Sequence, residues 1–265
     1  IKNKAELINP IRDDVKAALK SLIKKSGYDL INLVEEDFHK VTAILGTRDR
    51  GLIGNLYDIT RTSLNSILLI SDETIKKIIS QYIRSENLSL QLNDQIMRID
   101  LPNESNSYKD SILLPWHQDY PYNQGSVRSL TVYIPLQSGT LTNGGTLEVT
   151  YGSHKKSLVP HIFRKQPLKV GEKIKEGLIY EIPNSVVNQF RKEVLYLNYS
   201  DILIFDMDTI HRSVQNLSDK ARFNLQIRLS DLNDQEYCAR YSTIKTLRHK
   251  NLTNKQQELI KEINL

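Results

Sequence analysis

The stretch "RFNLQIRL", residues 222–229, alternates without a break: Phe223, Leu225, Ile227 and Leu229 are apolar, while Arg222, Asn224, Gln226 and Arg228 are polar. In a strand, successive side chains point to opposite faces. The run therefore predicts a strand with one wholly apolar and one wholly polar face. "SLTVYIPL", residues 129–136, repeats the split, with Leu130, Val132, Ile134 and Leu136 on one side and Ser129, Thr131 and Tyr133 on the other. Solvent on the polar side is usual for an antiparallel sheet. The alternative is a barrel or sandwich whose interior receives a polar ligand.

Outward from these two runs, the texture from about Asn87 is one of short strands separated by turn residues: "LSLQLN", "IMRID", "GTLEVT", "DILIFD" and "IHRSVQ". From about Pro10 to Ser80 the period is helical instead. "IRDDVKAALKSLIKKSG" sets Ile11, Val15, Ala18, Leu19 and Leu22 on one stripe and stops at Gly27, a natural residue just past a helix end. Helical pattern returns in "NKQQELIKEINL" at the C-terminus. With no internal repeat or Pro/Ser-rich linker, the 265 residues read as one domain. A helical buttress spans 1–86, a β core 87–231 and a C-terminal helical segment 232–265.

Composition narrows the function. The balance of 36 Lys+Arg against 31 Asp+Glu gives +5, but the excess never condenses into a basic block. No nucleic-acid motif accompanies it, so nucleic acid is not an expected partner; an anionic small molecule remains compatible with the charge. Cys238 is the only cysteine, which excludes an intramolecular disulfide and a thiolate zinc cluster and makes the reducing cytoplasm the expected location. No run approaches the roughly eighteen apolar residues of a membrane span. "IKNKAELINP" lacks the apolar core of a signal peptide, and a start at Ile1 without Met allows a processed or trimmed beginning.

The chemistry concentrates in "LPWHQDYPYNQG", residues 114–125. His117 and Asp119 are two apart, so in an extended strand they share a face and Gln118 points away. His211, after the apolar run "DILIFD", is a third candidate. Two histidines and one carboxylate suit a non-haem Fe(II) and leave three positions open. The same set binds zinc in some hydrolases. Asn216-Leu217-Ser218-Asp219-Lys220 is turn-rich, so 211–215 and 221–229 are expected to pair as a hairpin, with Arg222 opposite Ser213 or Val214. An arginine there suits the far carboxylate of a dicarboxylate chelating the metal at its other end, with the Ser213 hydroxyl on the same face as His211.

His117-x-Asp119, the distal His211, Ser213 and Arg222, together with Asn143-Gly144-Gly145 and Gly152-Ser153-His154, resemble the phytanoyl-CoA dioxygenase family of Fe(II)/2-oxoglutarate oxygenases. The resemblance covers roughly residues 88–231. It implies a mainly β fold with flanking helices: a double-stranded β-helix (jelly-roll, cupin-like) core with the helical N-terminal third packed on one sheet. It also implies iron held by His117, Asp119 and His211, and 2-oxoglutarate held by Arg222 and Ser213, with Tyr133, and Thr131 on the same face, lining that pocket. The reaction implied is hydroxylation by O2, with release of succinate and CO2. Related halogenases lack the carboxylate at the position of Asp119. Thr150-Tyr151 departs from the family pattern, where proline often precedes the Gly-Ser-His.

Tyr120, Tyr122 and Asn123 border the His-x-Asp and are candidate substrate contacts, as is Arg228 on the polar face. Arg98 can play a part like that of Arg228. The partner expected is a small polar metabolite: an amino acid, a phosphonate or a sugar-like molecule. Trp116 alternates with His117 and should enter the core. His154 is expected to be structural, and His39, His161 and His249 have no partners at ligand spacing. The rival reading is a jelly-roll module that binds a ligand or sugar without redox chemistry.

Overall fold

The computed structural model describes residues 1–91, 96–102, 113–170, 173–240, 258 and 260–262. Five helices fill the first third: α1 (Ala5–Ser26), α2 (Ile31–Arg48), α3 (Arg50–Thr60), α4 (Leu64–Ile70) and α5 (Glu73–Ile83). Their boundaries follow local chemistry. Asp49, Ser63 and Asp72 accept hydrogen bonds from the backbone N–H groups of Leu52, Ser66 and Ile75, capping α3, α4 and α5. Gly27 closes α1 at φ 76°, a left-handed conformation that favours glycine. α1 starts before the expected Pro10, because Ile8 extends the buried stripe of Ile11, Val15, Leu19 and Leu22 by one turn. α2 is broken at Asp37, whose carboxylate restarts the helix by accepting from the N–H groups of His39 and Lys40.

The strands and short helices that follow are β1 (Leu88–Leu90), β2 (Ile96–Asp100), α6 (Tyr120–Asn123), β3 (Leu130–Pro135), β4 (Leu147–Thr150), β5 (His161–Val170) and β6 (Lys173–Glu181). After them come α7 (Asn184–Val187), β7 (Lys192–Leu195), β8 (Leu203–Asp206), β9 (His211–Ser213), β10 (Arg222–Asp231), α8 (Gln235–Arg240) and β11 (Ile260–Glu262). In the first sheet β10 pairs with β1 and β2 along one edge and β3 along the other, and β3 pairs with β8, all antiparallel. The second sheet runs β7-β4-β9, and an antiparallel bridge between His117 and His211 extends it. A third has β5 paired with β6, and β11 parallel to β5.

The apolar faces of β10 and β3 enter one core with α1, α2, α3 and α5: Phe223, Leu225, Ile227, Val132 and Ile134 lie there beside Ile11, Phe38, Leu56 and Ile79. The opposite face of β10 is not solvated. Arg222, Asn224 and Arg228 are 1–2% exposed. Of the two readings of the alternation, the enclosed polar interior is the one the fold adopts.

One expectation is corrected. Residues 211–215 and 221–229 do not form a hairpin: β9 pairs with β4, whereas β10 pairs with β1, β2 and β3, so the turn-rich link crosses from one sheet to the other. Asn216 secures that crossing by donating to the carbonyls of Asp100 and Lys220. Of the expected C-terminal helical segment, Gln235–Arg240 is helix α8 and Ile260–Glu262 a strand, and most of the rest, with His249, lies outside the described residues. No helix among the described residues is long and apolar enough to cross a membrane.

Candidate metal centre

Backbone pairing brings the histidines together. His117 and His211 exchange N–H to carbonyl bonds of 2.9 and 3.0 Å, and the Asp119 N–H donates to the Met207 carbonyl at 2.9 Å. Gln118, on the other side of the strand, is fully buried. It donates to the carbonyls of Ser157 and Asp208 and accepts from the Val159 N–H, tying the ligand strand to two loops. Trp116 enters a separate apolar cluster with Val159, Ile182, Val187 and Ile210.

One ligand atom from each of His117, Asp119 and His211 lies within 4.8 Å of the others, and all three residues are buried. Nε2 of His117 is 3.8 Å and Nε2 of His211 is 3.9 Å from Asp119 Oδ1. Nδ1 of His117 faces the Pro115 carbonyl at 2.7 Å, and Nδ1 of His211 faces the Thr209 carbonyl at 2.9 Å. A carbonyl only accepts, so Nδ1 carries the proton and each Nε2 presents a lone pair to the shared space. The donor set of two imidazoles and a carboxylate therefore fits a facial Fe(II) site.

The electrostatics agree with that division of labour. Burial, then the neighbouring His211, lowers His117 to about 3 against the pull of Asp119. Burial likewise lowers His211, so both rings are neutral near pH 7. Burial alone would raise the Asp119 carboxyl; Arg228, the two histidines and the Thr131 hydroxyl outweigh it and hold the group below the usual carboxylate range. Thr131 donates to Asp119 Oδ2 at 2.5 Å, and Arg228 reaches the same oxygen at 3.3 Å. Oδ1 is the oxygen that faces the histidines.

The remaining expected residues are placed as follows. Arg222, 2% exposed, donates to Asp100 Oδ2 from Nε and Nη2 at 3.2 and 3.1 Å, to the Gly145 carbonyl at 2.7 Å and to the Val214 carbonyl. Gly145 holds φ 76°, and a Cβ there would stand 2.8 Å from the Leu195 carbonyl, so only glycine presents this carbonyl without strain. Tyr133 is buried among Arg222, Asp100 and Arg98. Ser213 is half-buried at the end of β9. Tyr122 sets its ring edge-on to His117 at 5.7 Å and accepts from the Tyr180 N–H. Tyr120 packs on Met207 and Leu158, and Asn123 donates to the Asp119 carbonyl. His39 and His161 are buried outside the triad, and His154 sits in a short 3-10 helix, Ser153–Lys156.

Two residues beside the arginines of the polar face escaped the sequence reading. Asp100 stands directly opposite Arg222 in the register of β2 with β10, and bonds Arg98 Nε at 2.7 Å through its other oxygen. Alternation in "IMRID" carries the signal, since it puts Arg98 and Asp100 on the polar face opposite Met97. Tyr57 of α3 lies in the field of Arg228 and Arg98, so a helix of the first third also approaches the polar face of β10. No local pattern marks it.

Comparison with known proteins adds a family. No curated protein matches the chain. Among solved structures it is similar to a protein described as non-heme monooxygenase ThoJ, apo (15% identity, TM-score 0.49, 87% of this chain and 71% of that one). It is also similar to the non-heme alpha ketoglutarate dependent epimerase SnoN from nogalamycin biosynthesis (16%, 0.47, 66% and 60%). AviO1 from Streptomyces viridochromogenes Tue57 is a third (16%, 0.44, 66% and 65%). The chain spans 35, 65 and 63% of the first three structures it matches. The sequence itself matches phytanoyl-CoA dioxygenase (PhyH) over residues 47–224, that is 178 of 265. With that match running from the end of α2 into β10 and containing His117, Asp119 and His211, the chain belongs to the phytanoyl-CoA dioxygenase family.

Proposed function

We propose that this protein is an Fe(II)/2-oxoglutarate-dependent dioxygenase that hydroxylates a small polar metabolite. The observation that carries the reading is the convergence of His117, Asp119 and His211 in a buried space, with both Nδ1 atoms committed to carbonyls. The strand orders β1/β2-β10-β3-β8 and β7-β4-β9, the latter extended by the His117 bridge, support a double-stranded β-helix within one domain. Residues 87–231 are its core and 1–86 its helical buttress.

Bound at the triad, Fe(II) with 2-oxoglutarate and O2 would supply oxidative decarboxylation, yielding succinate, CO2 and an oxidised C–H bond. The chain's own residues hold and orient. Thr131 and Arg228 fix Asp119 so that Oδ1 faces the metal. Arg222 takes the far carboxylate of 2-oxoglutarate, with Ser213 beside it and Tyr133 along the wall. Tyr122 forms the rigid side of the substrate space next to His117, its hydroxyl held by Tyr180. Tyr120 and Asn123 shape the turn that carries it, and Arg228 faces the substrate from β10. The carboxylate at 119 favours hydroxylation over halogenation.

The test is turnover in air with Fe(II) and 2-oxoglutarate, following succinate and oxygen uptake during a screen of amino acids, phosphonates and sugars. We expect succinate that depends on both additions and is lost in Asp119→Ala. Succinate formation that survives this substitution contradicts the assignment.

A further inference from the structure

The Arg222–Asp100 pair is buried on the enclosed polar face, yet it is not what a free carboxylate anchor requires. A guanidinium has five N–H donors, and a carboxylate docks on it best through two parallel bonds. Arg222 commits four donors to described residues: two to Asp100, one to Gly145 and one to Val214. The Nε/Nη2 edge, which offers one such parallel pair, is filled by Asp100 Oδ2. The other bonds go to backbone carbonyls beside β4 and β9, which ladder pairing and the glycine turn at Gly145 hold in place. Of the three partners, only Asp100 can leave by a side-chain rotation.

Asp100 also has a place to go. Its other oxygen already accepts from Arg98 Nε at 2.7 Å, so releasing Arg222 does not strand a bare buried carboxylate. We propose that Asp100 is an internal competitor for the co-substrate: it occupies the Arg222 guanidinium in the free protein and yields it when the far carboxylate of 2-oxoglutarate docks. This rests on Arg222 being the anchor, as read above. Asp100 then sets both affinity and selectivity, because 2-oxo acids without a second carboxylate do not meet it.

Calorimetric titration of the anaerobic Fe(II)-loaded protein with 2-oxoglutarate and with pyruvate separates the cases. In Asp100→Asn, which removes the competing charge, we expect 2-oxoglutarate to bind about tenfold tighter or better, with pyruvate unchanged. If Asp100 only positions Arg222, the same variant binds 2-oxoglutarate more weakly. Equal or weaker binding by a variant with an unaltered melting temperature overturns the proposal. The anchor reading fails differently: in Arg222→Met the preference for 2-oxoglutarate over pyruvate would persist, and the proposal falls with it. Should Asp100→Asn not fold, a crystal structure of the wild-type complex decides. Asp100 turned away from Arg222 supports exchange; Asp100 still bonded to Nε and Nη2, with 2-oxoglutarate held elsewhere, overturns it.

Discussion

Asp119 is kept ionised in a buried interior by four neighbours that together outweigh its burial, Arg228, His211, His117 and Thr131, of which Thr131 is the smallest. Outer partners of a metal ligand commonly contribute 10–100-fold in metal affinity. Thr131→Val, nearly isosteric, is therefore expected to weaken Co(II) or Fe(II) binding by about that factor while leaving the fold intact, as measured by competition with a chelating dye. Unchanged affinity would contradict the orienting role. The His-x-Asp pair and the opposite facing of Gln118 were legible because a strand's period of two is a local property. That Thr131 bonds Asp119 was not, since the bond depends on how β3 lies beside the ligand loop.

At the scale of elements, β10 has two separable jobs. Leu225 is fully buried among the helices and faces away from the metal. Leu225→Ala is expected to cost about 2–5 kcal/mol in urea unfolding, with metal affinity per folded molecule unchanged. A parallel loss of affinity in the folded fraction would show that the two faces are coupled. Gly145→Ala forces a side chain into left-handed backbone and against the Leu195 carbonyl, so a loss of about 1–3 kcal/mol is expected. The alternation in β3 and β10 revealed their apolar faces directly. The β9–β10 link was misread because turn residues mark a reversal without saying whether the chain stays in its sheet. The β5–β6 pair went unseen: "HIFRKQPLKV" carries lysines and a proline that blur any alternation.

Across the whole molecule, buried titratable groups tie stability to pH. His39 and His161, each lowered to about 4 chiefly by burial, stay neutral when folded and charge when unfolded below about 6.5. Their contribution is present above that pH and is lost as pH falls toward 4. Asp208, raised to about 7 by burial and then by Asp206, has the opposite sign and offsets one histidine. The metal-free protein, with His117 acting as they do, should lose roughly 1.4 kcal/mol per pH unit for each histidine not offset. Asp208→Asn should steepen the decline. Urea midpoints at pH 7, 6 and 5 check this, and a midpoint that rises on acidification contradicts it. The central claim is an iron site built from His117, Asp119 and His211. Its most direct test is anaerobic addition of Fe(II) and 2-oxoglutarate, watching for the weak visible charge-transfer band of the chelated 2-oxo acid. The account predicts a band in the wild type that is absent in His211→Ala; no band in the wild type, or the same band in the variant, contradicts it.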